Sequence, residues 1–312
     1  MTENGAGSTS PLVVAVVITW NDTEMTSDCV KSVLDSDYEP LRVLLVDNGS
    51  NEPCGEIVQK RFPSIEVLTL PENQGFTGGS NRGIERALEM GADYIHLIGN
   101  DSTLAPDAIS NLVRALETRP EMGGASPLIL HPGEQKIVQF YFGTIERDRA
   151  RHVHHREEEP YEGGDWPTVA SDFVPFVAVM FRKQALLEAG VFDESFSTCW
   201  EDYDLCIRFA DSGWPFMTVG DAHVVHLGSI TTGRSSPYIT YYMTRNRLIC
   251  LFRHGRARGV LREALFIARS FYWQIRHYGF RSWRCHRAFA RGVLDFLLGV
   301  RGQGNAPLDR RG

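Results

Sequence analysis

Aliphatic, strand-like runs alternate with helical patterns through the first 130 residues of this 312-residue chain. Residues 12–19 (LVVAVVIT) and 41–46 (LRVLLV) are rich in β-branched and aliphatic side chains, as is typical of strands covered on both faces. Similar strands are predicted at 65–70 and 94–98. Strands that alternate with helices indicate a parallel sheet with helices on both sides. This part of the chain therefore predicts a doubly wound α/β unit of the nucleotide-binding type.

The second half of the chain is less regular. Residues 147–168 are charged and rich in His and Gly, which predicts a surface loop. A strand is predicted at 173–181 and a helix at 201–211. The remaining predicted elements are short strands at 216–219 and 223–225 and helices at 238–252, 259–278 and 284–299.

Composition and charge exclude several classes of protein. Hydrophobic residues make up 43% and charged residues 23% of the chain, close to globular averages, which argues against a disordered or collagen-like chain. We expect no membrane span, because no apolar run reaches ~18 residues, and no secretory signal. The six cysteines form no C-x-x-C pair, as expected for reduced thiols in a cytoplasmic protein. The formal net charge of −7 argues against nucleic-acid binding.

The C-terminal part is basic although the whole chain is acidic. Between residues 245 and 301 there are 13 arginines and only two acidic residues, Glu263 and Asp295, and aromatic side chains lie among the arginines. We favour packing of these helices on the main domain, or self-association as a homodimer, as the explanation. The alternative is peripheral contact with the inner face of an anionic membrane.

Polar side chains follow three of the predicted strands, where the ligands of open α/β sheets lie. The Asp47 carboxylate can accept hydrogen bonds from a base or a ribose, and Trp20 offers a flat surface to a base. Asp101 is a candidate ligand for a hard divalent cation. The alternative is that these residues only form turns and helix caps. The three strand ends are Thr19-Trp20-Asn21, Asp47-Asn48 and Asn100-Asp101.

Glu201 and Asp202 open a predicted helix, directly after Trp200. The helix dipole favours carboxylates at this position, so capping alone explains the pair. Adjacent carboxylates also suit a general base, because one can stay ionised while the other orients it. His226 follows a predicted strand, and its imidazole can bind a metal, although packed histidines are more common.

Two further patterns are weaker. His152, His154 and His155 suggest a zinc site, but arginines surround them and no cysteine lies at zinc-ligand spacing, so we interpret them as part of the solvated loop. The glycine-rich segment GFTGG at 75–79 matches neither the dinucleotide-binding fingerprint nor the P-loop.

Taken together in chain order, these pieces resemble a family-2 inverting glycosyltransferase of the rhamnosyltransferase-like branch. The resemblance runs from residue 12 to residue 248 in the family's order, which makes it specific although each motif alone is weak. The matching segments are VVITWN (16–21), VDNGS (46–50), ENQGFTGGSNRGI (72–84), LIGNDSTL (97–104), GVFDESFSTCWEDYDLCIR (190–208), HLGSIT (226–231) and YYMTRNRL (241–248).

The resemblance implies a GT-A fold, that is, a doubly wound, mostly parallel α/β sheet with a C-terminal helical extension. The implied parts are a catalytic domain at 11–235, with a nucleotide-binding half (11–130) and an acceptor half (131–235), a helical region at 236–301, and disordered tails at 1–10 and 302–312.

The resemblance also implies a nucleotide-diphosphate sugar as donor, dTDP- or UDP-linked, with rhamnose as the first candidate sugar. Asp202 would be the catalytic base beside Glu201. Asp101 and His226 would hold a divalent cation, Mg²⁺ or Mn²⁺. The implied donor-binding residues are Thr19, Trp20, Asn21, Asp47, Gly79, Asn81, Asn100, Arg245 and Asn246.

The chain departs from the branch at the metal motif, where Gly99-Asn100-Asp101 carries one carboxylate in place of two. The alternative function is therefore a nucleotide-sugar-binding protein of the same fold that has lost catalysis. A nucleotidyltransferase shares the general fold but would not need the Trp-Glu-Asp segment. The sequence does not choose among a lipid-linked, glycan or small-molecule acceptor.

Overall fold

The computed structural model describes residues 10–162, 166–228, 236–255, 260–278 and 282–304. Within these ranges a mixed sheet is flanked by helices, and three further helices follow it. The strands are β1 (Val13–Thr19), β2 (Leu41–Asp47), β3 (Glu66–Thr69), β4 (Tyr94–Gly99), β5 (Ser102–Leu104), β6 (Gly124–Leu130), β7 (Val138–Phe140), β8 (Phe142–Glu146), β9 (Arg151–His155), β10 (Val169–Ser171), β11 (Ala178–Arg182) and β12 (Phe216–His226). The α-helices are α1 (Thr23–Leu34), α2 (Cys54–Arg61), α3 (Gly75–Glu89), α4 (Ala108–Glu117), α5 (Lys183–Ala189), α6 (Glu201–Asp211), α7 (Pro237–His254), α8 (Val260–Tyr278) and α9 (Trp283–Leu297).

Parallel strands form the centre of the sheet, as the alternating pattern predicts. β1 pairs in parallel with β2 on one side and β4 on the other, and β3 continues the sheet beyond β2. All seven residues of β1 are buried, because α1 and α3 pack against this part of the sheet. The α/β, doubly wound fold class is confirmed.

Beyond β4 the sheet becomes mixed, with the strand order β10-β12-β6-β11-β4-β1-β2-β3. β11 runs antiparallel to both β4 and β6, and β12 runs parallel to β6. The two short strands predicted at 216–219 and 223–225 are one strand, β12. Its pairing with β6 shifts register between Val219 and His223. This irregularity interrupts the strand pattern in the sequence, which is why two strands are predicted.

The predicted surface loop at 147–168 is wrong in its first part. β9 pairs antiparallel with β8 in a separate two-stranded sheet. An antiparallel pair can leave one face to solvent, so a charged and polar sequence does not exclude a strand. The strand predicted at 173–181 begins only at Ala178.

The helices predicted at 238–252, 259–278 and 284–299 are confirmed as α7, α8 and α9. α7 and α9 pack closely, and Gly292 allows the approach, since a Cβ there would lie 2.8 Å from the carbonyl oxygen of Tyr241. The predicted tails are largely residues 1–9 and 305–312, which lie outside the described residues. All six cysteines are free thiols, as expected. Of the helix residues that are described, no stretch has the length and hydrophobicity needed to cross a bilayer.

Candidate active site

The carboxyl ends of β1, β2 and β4 meet at one edge of the sheet. Thr19 lies opposite Asp47 in the register of β1 and β2, and the half-buried Trp20 follows. Just beyond β4, the Asn100 Nδ2 donates hydrogen bonds to Oγ1 of Thr19 at 3.2 Å and of Thr26 at 3.1 Å. The structure therefore brings these predicted donor-binding residues to the edge where ligands of such sheets bind.

Asp47 and Asn21 tie together the turns at this edge. The buried Asp47 accepts the backbone N–H of Ser50 at Oδ1, at 3.0 Å, and that of Gly55 at Oδ2, at 2.9 Å. Asn21 has a left-handed φ of 66°, and its Oδ1 accepts the backbone N–H of Asn51 at 2.6 Å. These side chains therefore fix the backbone around the expected nucleoside position.

Asp101 and His226, which the resemblance names as metal ligands, lie side by side. Antiparallel pairing of β5 with β12 places His226 opposite Ser102, so Nε2 of His226 is 3.2 Å from Oδ2 of Asp101. Nδ1 of His226 is 2.8 Å from Oε1 of Gln139. If Nδ1 donates to that amide oxygen, the lone pair of Nε2 faces the carboxylate. Over the described ranges, no group of three or more His, Cys, Asp or Glu forms a metal-binding cluster.

The N-terminus of α6 lies at the same edge of the sheet. Asn48 follows β2, and its Nδ2 donates to the carbonyl oxygen of Gly75 at 2.9 Å. The backbone N–H of Thr77 donates to the carbonyl of Ser197 at 3.1 Å, and a Cβ on Gly75 would lie 2.4 Å from Ser197 Oγ. Ser197 precedes Glu201 by four residues, so these contacts hold the start of α6 against the ends of the parallel strands.

The turn before α6 has a strained backbone. Ser197, Cys199 and Trp200 have positive φ angles of 65°, 62° and 71°, which cost energy for residues other than glycine. Asn246 on α7 opposes this cost, because its Nδ2 lies within 2.7–3.0 Å of three carbonyl oxygens of the turn. The turn is therefore fixed from outside, and it determines where Glu201 and Asp202 begin.

Other predicted donor-binding residues also engage protein groups. Arg245 is fully buried, and its Nη2 donates to two carbonyl oxygens of the same turn at 3.1 and 3.2 Å. Asn81 makes two hydrogen bonds with the backbone of Phe192, at 2.9 and 3.1 Å. A Cβ on Gly79 would lie 2.9 Å from Nδ2 of Asn48. In this structure, therefore, the Arg245, Asn246 and Asn81 side chains hold the 192–200 segment in place.

Glu201 and Asp202 form a partly buried carboxylate pair. Oδ1 of Asp202 accepts the backbone N–H of Tyr203 at 2.7 Å, whereas Oε2 of Glu201 is buried without a hydrogen-bond partner among the described residues. Burial raises the pKa of both carboxyls, and the charge of Asp202 raises that of Glu201 further. Asp202 is therefore the first of the pair to ionise, and a carboxylate with a raised pKa is a stronger base.

The general-base role that the resemblance implies for Asp202 predicts a pH dependence, because the pKa of this carboxyl is raised. A base must be ionised, so kcat is expected to fall as the pH drops through the raised pKa of Asp202, well above the value of about 4 of an ordinary aspartate. Measuring kcat from pH 4 to pH 8 tests this expectation. Glu201→Gln is the matched variant. It should keep the fall of kcat at low pH, because Asp202 ionises first. If kcat of the unchanged protein falls only near pH 4, the assignment of Asp202 as the base is wrong.

The β8–β9 hairpin contributes to a cluster of aromatic and imidazole rings at the start of α6. The sequence analysis does not predict this cluster. His152 stacks on Phe173 with ring centroids 4.1 Å apart and lies 5.6 Å from the Trp200 ring. Burial, His154 and nearby arginines lower the pKa of His152 to about 4, so the imidazole is neutral at pH 7. Nδ1 of His152 and Nε1 of Trp200 are buried and lack hydrogen-bond partners within the described part of the chain. The interpretation of this segment as a solvated loop is wrong, because one face of β9 packs inward.

Comparison with known proteins agrees with this architecture. Residues 14–183 match the model of Glycosyl transferase family 2. The N-acetylglucosaminyl-diphospho-decaprenol L-rhamnosyltransferase of Mycobacterium tuberculosis is 26% identical over 215 residues, covering 62% of this chain and 69% of that enzyme.

Two solved structures share the fold at low sequence identity. The crystal structure of GalNAc-T7 with UDP, GalNAc and Mn²⁺ has a TM-score of 0.61 and 13% identity, covering 87% of this chain and 58% of that one. The mannosyltransferase PcManGT from Pyrobaculum calidifontis, in complex with GDP-Man and Mn²⁺, has a TM-score of 0.56 and 14% identity, covering 94% of this chain and 88% of that one. Since the family model covers more than half of the sequence and the fold agrees, the chain belongs to glycosyl transferase family 2, in its rhamnosyltransferase-like branch with a GT-A fold.

Proposed function

We propose that this chain transfers a single sugar from a nucleoside diphosphate to an acceptor hydroxyl, with inversion at the anomeric carbon. One observation carries the proposal, namely that two polar pairs share one edge of the sheet. Glu201 and Asp202 start α6 there, and Asp101 and His226 lie 3.2 Å apart beyond β4 and at the end of β12. Displacement at a sugar needs a base and a site for the leaving diphosphate within reach of one donor.

Asp202 is the general base in this proposal. Its carboxylate takes the proton of the acceptor hydroxyl as that oxygen bonds to the anomeric carbon from the face opposite the diphosphate. The bond between the anomeric carbon and the diphosphate oxygen breaks in the same step, and the nucleoside diphosphate leaves with the electron pair. A single displacement of this kind inverts the anomeric configuration. Glu201 stays protonated to higher pH, which limits the negative charge beside the base.

A divalent cation, Mg²⁺ or Mn²⁺, fits the Asp101–His226 pair. An imidazole nitrogen and a carboxylate oxygen lie together, and Gln139 orients the ring. Asp101 and His226 would hold the ion, and oxygen-rich groups such as a diphosphate are ligands that these cations prefer. When bound, such an ion stabilises negative charge on the leaving diphosphate. The Mn²⁺ in the two similar structures supports this part of the proposal.

The first candidate donor is dTDP-L-rhamnose, because an L-rhamnosyltransferase is among the relatives; a UDP-sugar is the alternative. We propose a lipid-linked glycan as acceptor, since that relative is named for a diphospho-decaprenol substrate.

Ligand-dependent thermal stability tests the donor and metal assignments. A nucleotide sugar at about 100 times its Kd should stabilise the protein by about 2.7 kcal/mol. We expect the largest shift with dTDP-L-rhamnose and Mn²⁺ or Mg²⁺ in a panel of dTDP-, UDP- and GDP-sugars. Asp101→Ala should remove the metal-dependent part of the shift, weakening donor binding by at least about 10–100-fold, the cost of losing even an outer partner of a metal site.

Asp37→Ala is the matched control, because Asp37 is an exposed aspartate before the amino end of β2, away from the carboxyl ends of the strands, and it should leave the shift unchanged. Stabilisation by a donor with no dependence on metal would overturn the cation assignment alone. If no nucleotide sugar stabilises the protein under any condition, the proposed function is wrong.

A further inference from the structure

The C-terminal helices α8 and α9 present an exposed surface of arginines and large apolar side chains. α9 buries one face, including Cys285, Ala288, Phe289 and Gly292, against its neighbours. Its opposite face is exposed. That face carries Trp283, Arg284, Arg287, Arg291, Leu294, Leu297 and Leu298.

The apolar members of this face are unusually open to solvent. Trp283 is 61% exposed, and Leu297 and Leu298 are each 67% exposed. On α8, Leu265 and Tyr272 are 62% and 60% exposed and lie seven residues apart, which places them on one side of the helix. Several large apolar side chains exposed on one side of a helix often mark an interaction surface.

The charge of the surface is of one sign. From residue 265 to residue 304 the sequence has seven arginines and one acidic residue, Asp295. Asp295 is fully buried and pairs with Arg291 at 2.9 Å, so the net positive charge comes from the other arginines. On α8 the exposed Arg269 and Arg276 are interleaved with the exposed Leu265 and Tyr272. α8 and α9 pack together through Phe271 and Phe289, with ring centroids 5.5 Å apart.

We propose that this α8–α9 surface docks on an anionic lipid bilayer, with the apolar side chains entering the headgroup region and the arginines contacting lipid phosphates. Amphipathic helices with a cationic polar face and Trp or Leu on the apolar face bind in this way. A second copy of the chain fits less well, because a two-fold interface would place the arginine-rich face against itself. This inference goes beyond the proposed function and does not depend on it.

Vesicle co-sedimentation of the full chain tests the docking surface. We expect binding to POPC:POPG (1:1) vesicles at 0.15 M salt, little binding to POPC alone, and release at 1 M salt. Arg269→Gln/Arg276→Gln/Arg287→Gln should weaken partition on the order of 100-fold, since each arginine near such a surface contributes about fivefold. Trp283→Ser/Leu297→Ser/Leu298→Ser should also release the protein.

Matched controls keep the test specific. Arg42→Gln/Arg114→Gln/Lys60→Gln removes three exposed cations from the sheet domain, and Leu187→Ser removes a leucine that is 60% exposed; both should bind as the unchanged protein does. Donor-induced thermal shifts should be the same in all variants, which separates this test from that of the proposed function. If the protein does not bind anionic vesicles, the proposal is wrong. This holds for a 35.1 kDa monomer and for a dimer alike. Equal loss in the control variants would do the same.

Discussion

Replacing Asp202 with Asn is expected to lower the rate of sugar transfer by about 10²–10⁴-fold, the contribution of a positioned general base. The amide keeps the shape of the side chain, and its oxygen can still accept the Tyr203 N–H. Donor affinity should stay unchanged, because the Asp101–His226 pair and the ends of β1, β2 and β4 are untouched. Transfer is measured with the donor identified by thermal stabilisation, and donor Kd by titration.

Asp28→Asn is the control for the Asp202 variant, since Asp28 is an exposed aspartate on α1, and it should leave both kcat and Kd unchanged. An equal loss of donor binding and transfer in Asp202→Asn would show that Asp202 is structural. If the unchanged protein binds a donor but neither transfers nor hydrolyses it, the chain is a nucleotide-sugar-binding protein and the proposed reaction is wrong.

Replacing Asp204 with Asn is expected to lower the free energy of unfolding by about 3–5 kcal/mol, the usual cost of removing one partner from a buried ion pair. Asp204 is fully buried on α6. It accepts hydrogen bonds of 2.8 Å from Arg208, Arg253 and His254. Burial alone would raise the pKa of Asp204, but the His254 hydrogen bond and the two guanidinium groups outweigh burial and lower it to about 2.

The control for Asp204 lies on the same helix. Asp211 pairs with Arg147 at 2.7 Å, but its side chain is 56% exposed, so Asp211→Asn should cost less than about 1 kcal/mol. Urea unfolding at pH 7 compares the two variants. Because the folded pKa of Asp204 lies below the unfolded value of about 3.9, its contribution is present at neutral pH and is lost as the pH falls from about 4 to about 2. Equal costs for the two variants would contradict the importance of the buried cluster.

The sequence predicts local elements of this fold well and long-range contacts poorly. The helix predicted at 201–211 is α6 with the same bounds, because its periodicity and its acidic first turn are local signals. The strands predicted at 12–19 and 41–46 are β1 and β2 to within one residue at each end. β6 and β7 were not predicted, and the antiparallel placement of β11 between β4 and β6 depends on tertiary pairing.

The candidate site shows the same division. The sequence predicts Asp47 and Asn100 as candidate residues because a polar residue after a buried strand is a local pattern. The contacts of Arg245 and Asn246 with the turn before α6 join residues about 50 positions apart and leave no local trace. For the hairpin a signal existed, since His152 and His154 alternate as residues on one face of a strand do, but the surrounding charge favoured a loop.

The central claim is that Asp101, His226 and Asp202 serve one donor at one edge of the sheet. A crystal structure with Mn²⁺ and the nucleoside diphosphate of the stabilising donor, using the anomalous signal of manganese, tests it most directly. The account predicts manganese bound to Oδ2 of Asp101 and Nε2 of His226, the base of the nucleotide beside Asp47, and the terminal phosphate facing the side on which Asp202 lies. Manganese bound elsewhere, or a diphosphate directed away from Asp202, would contradict it.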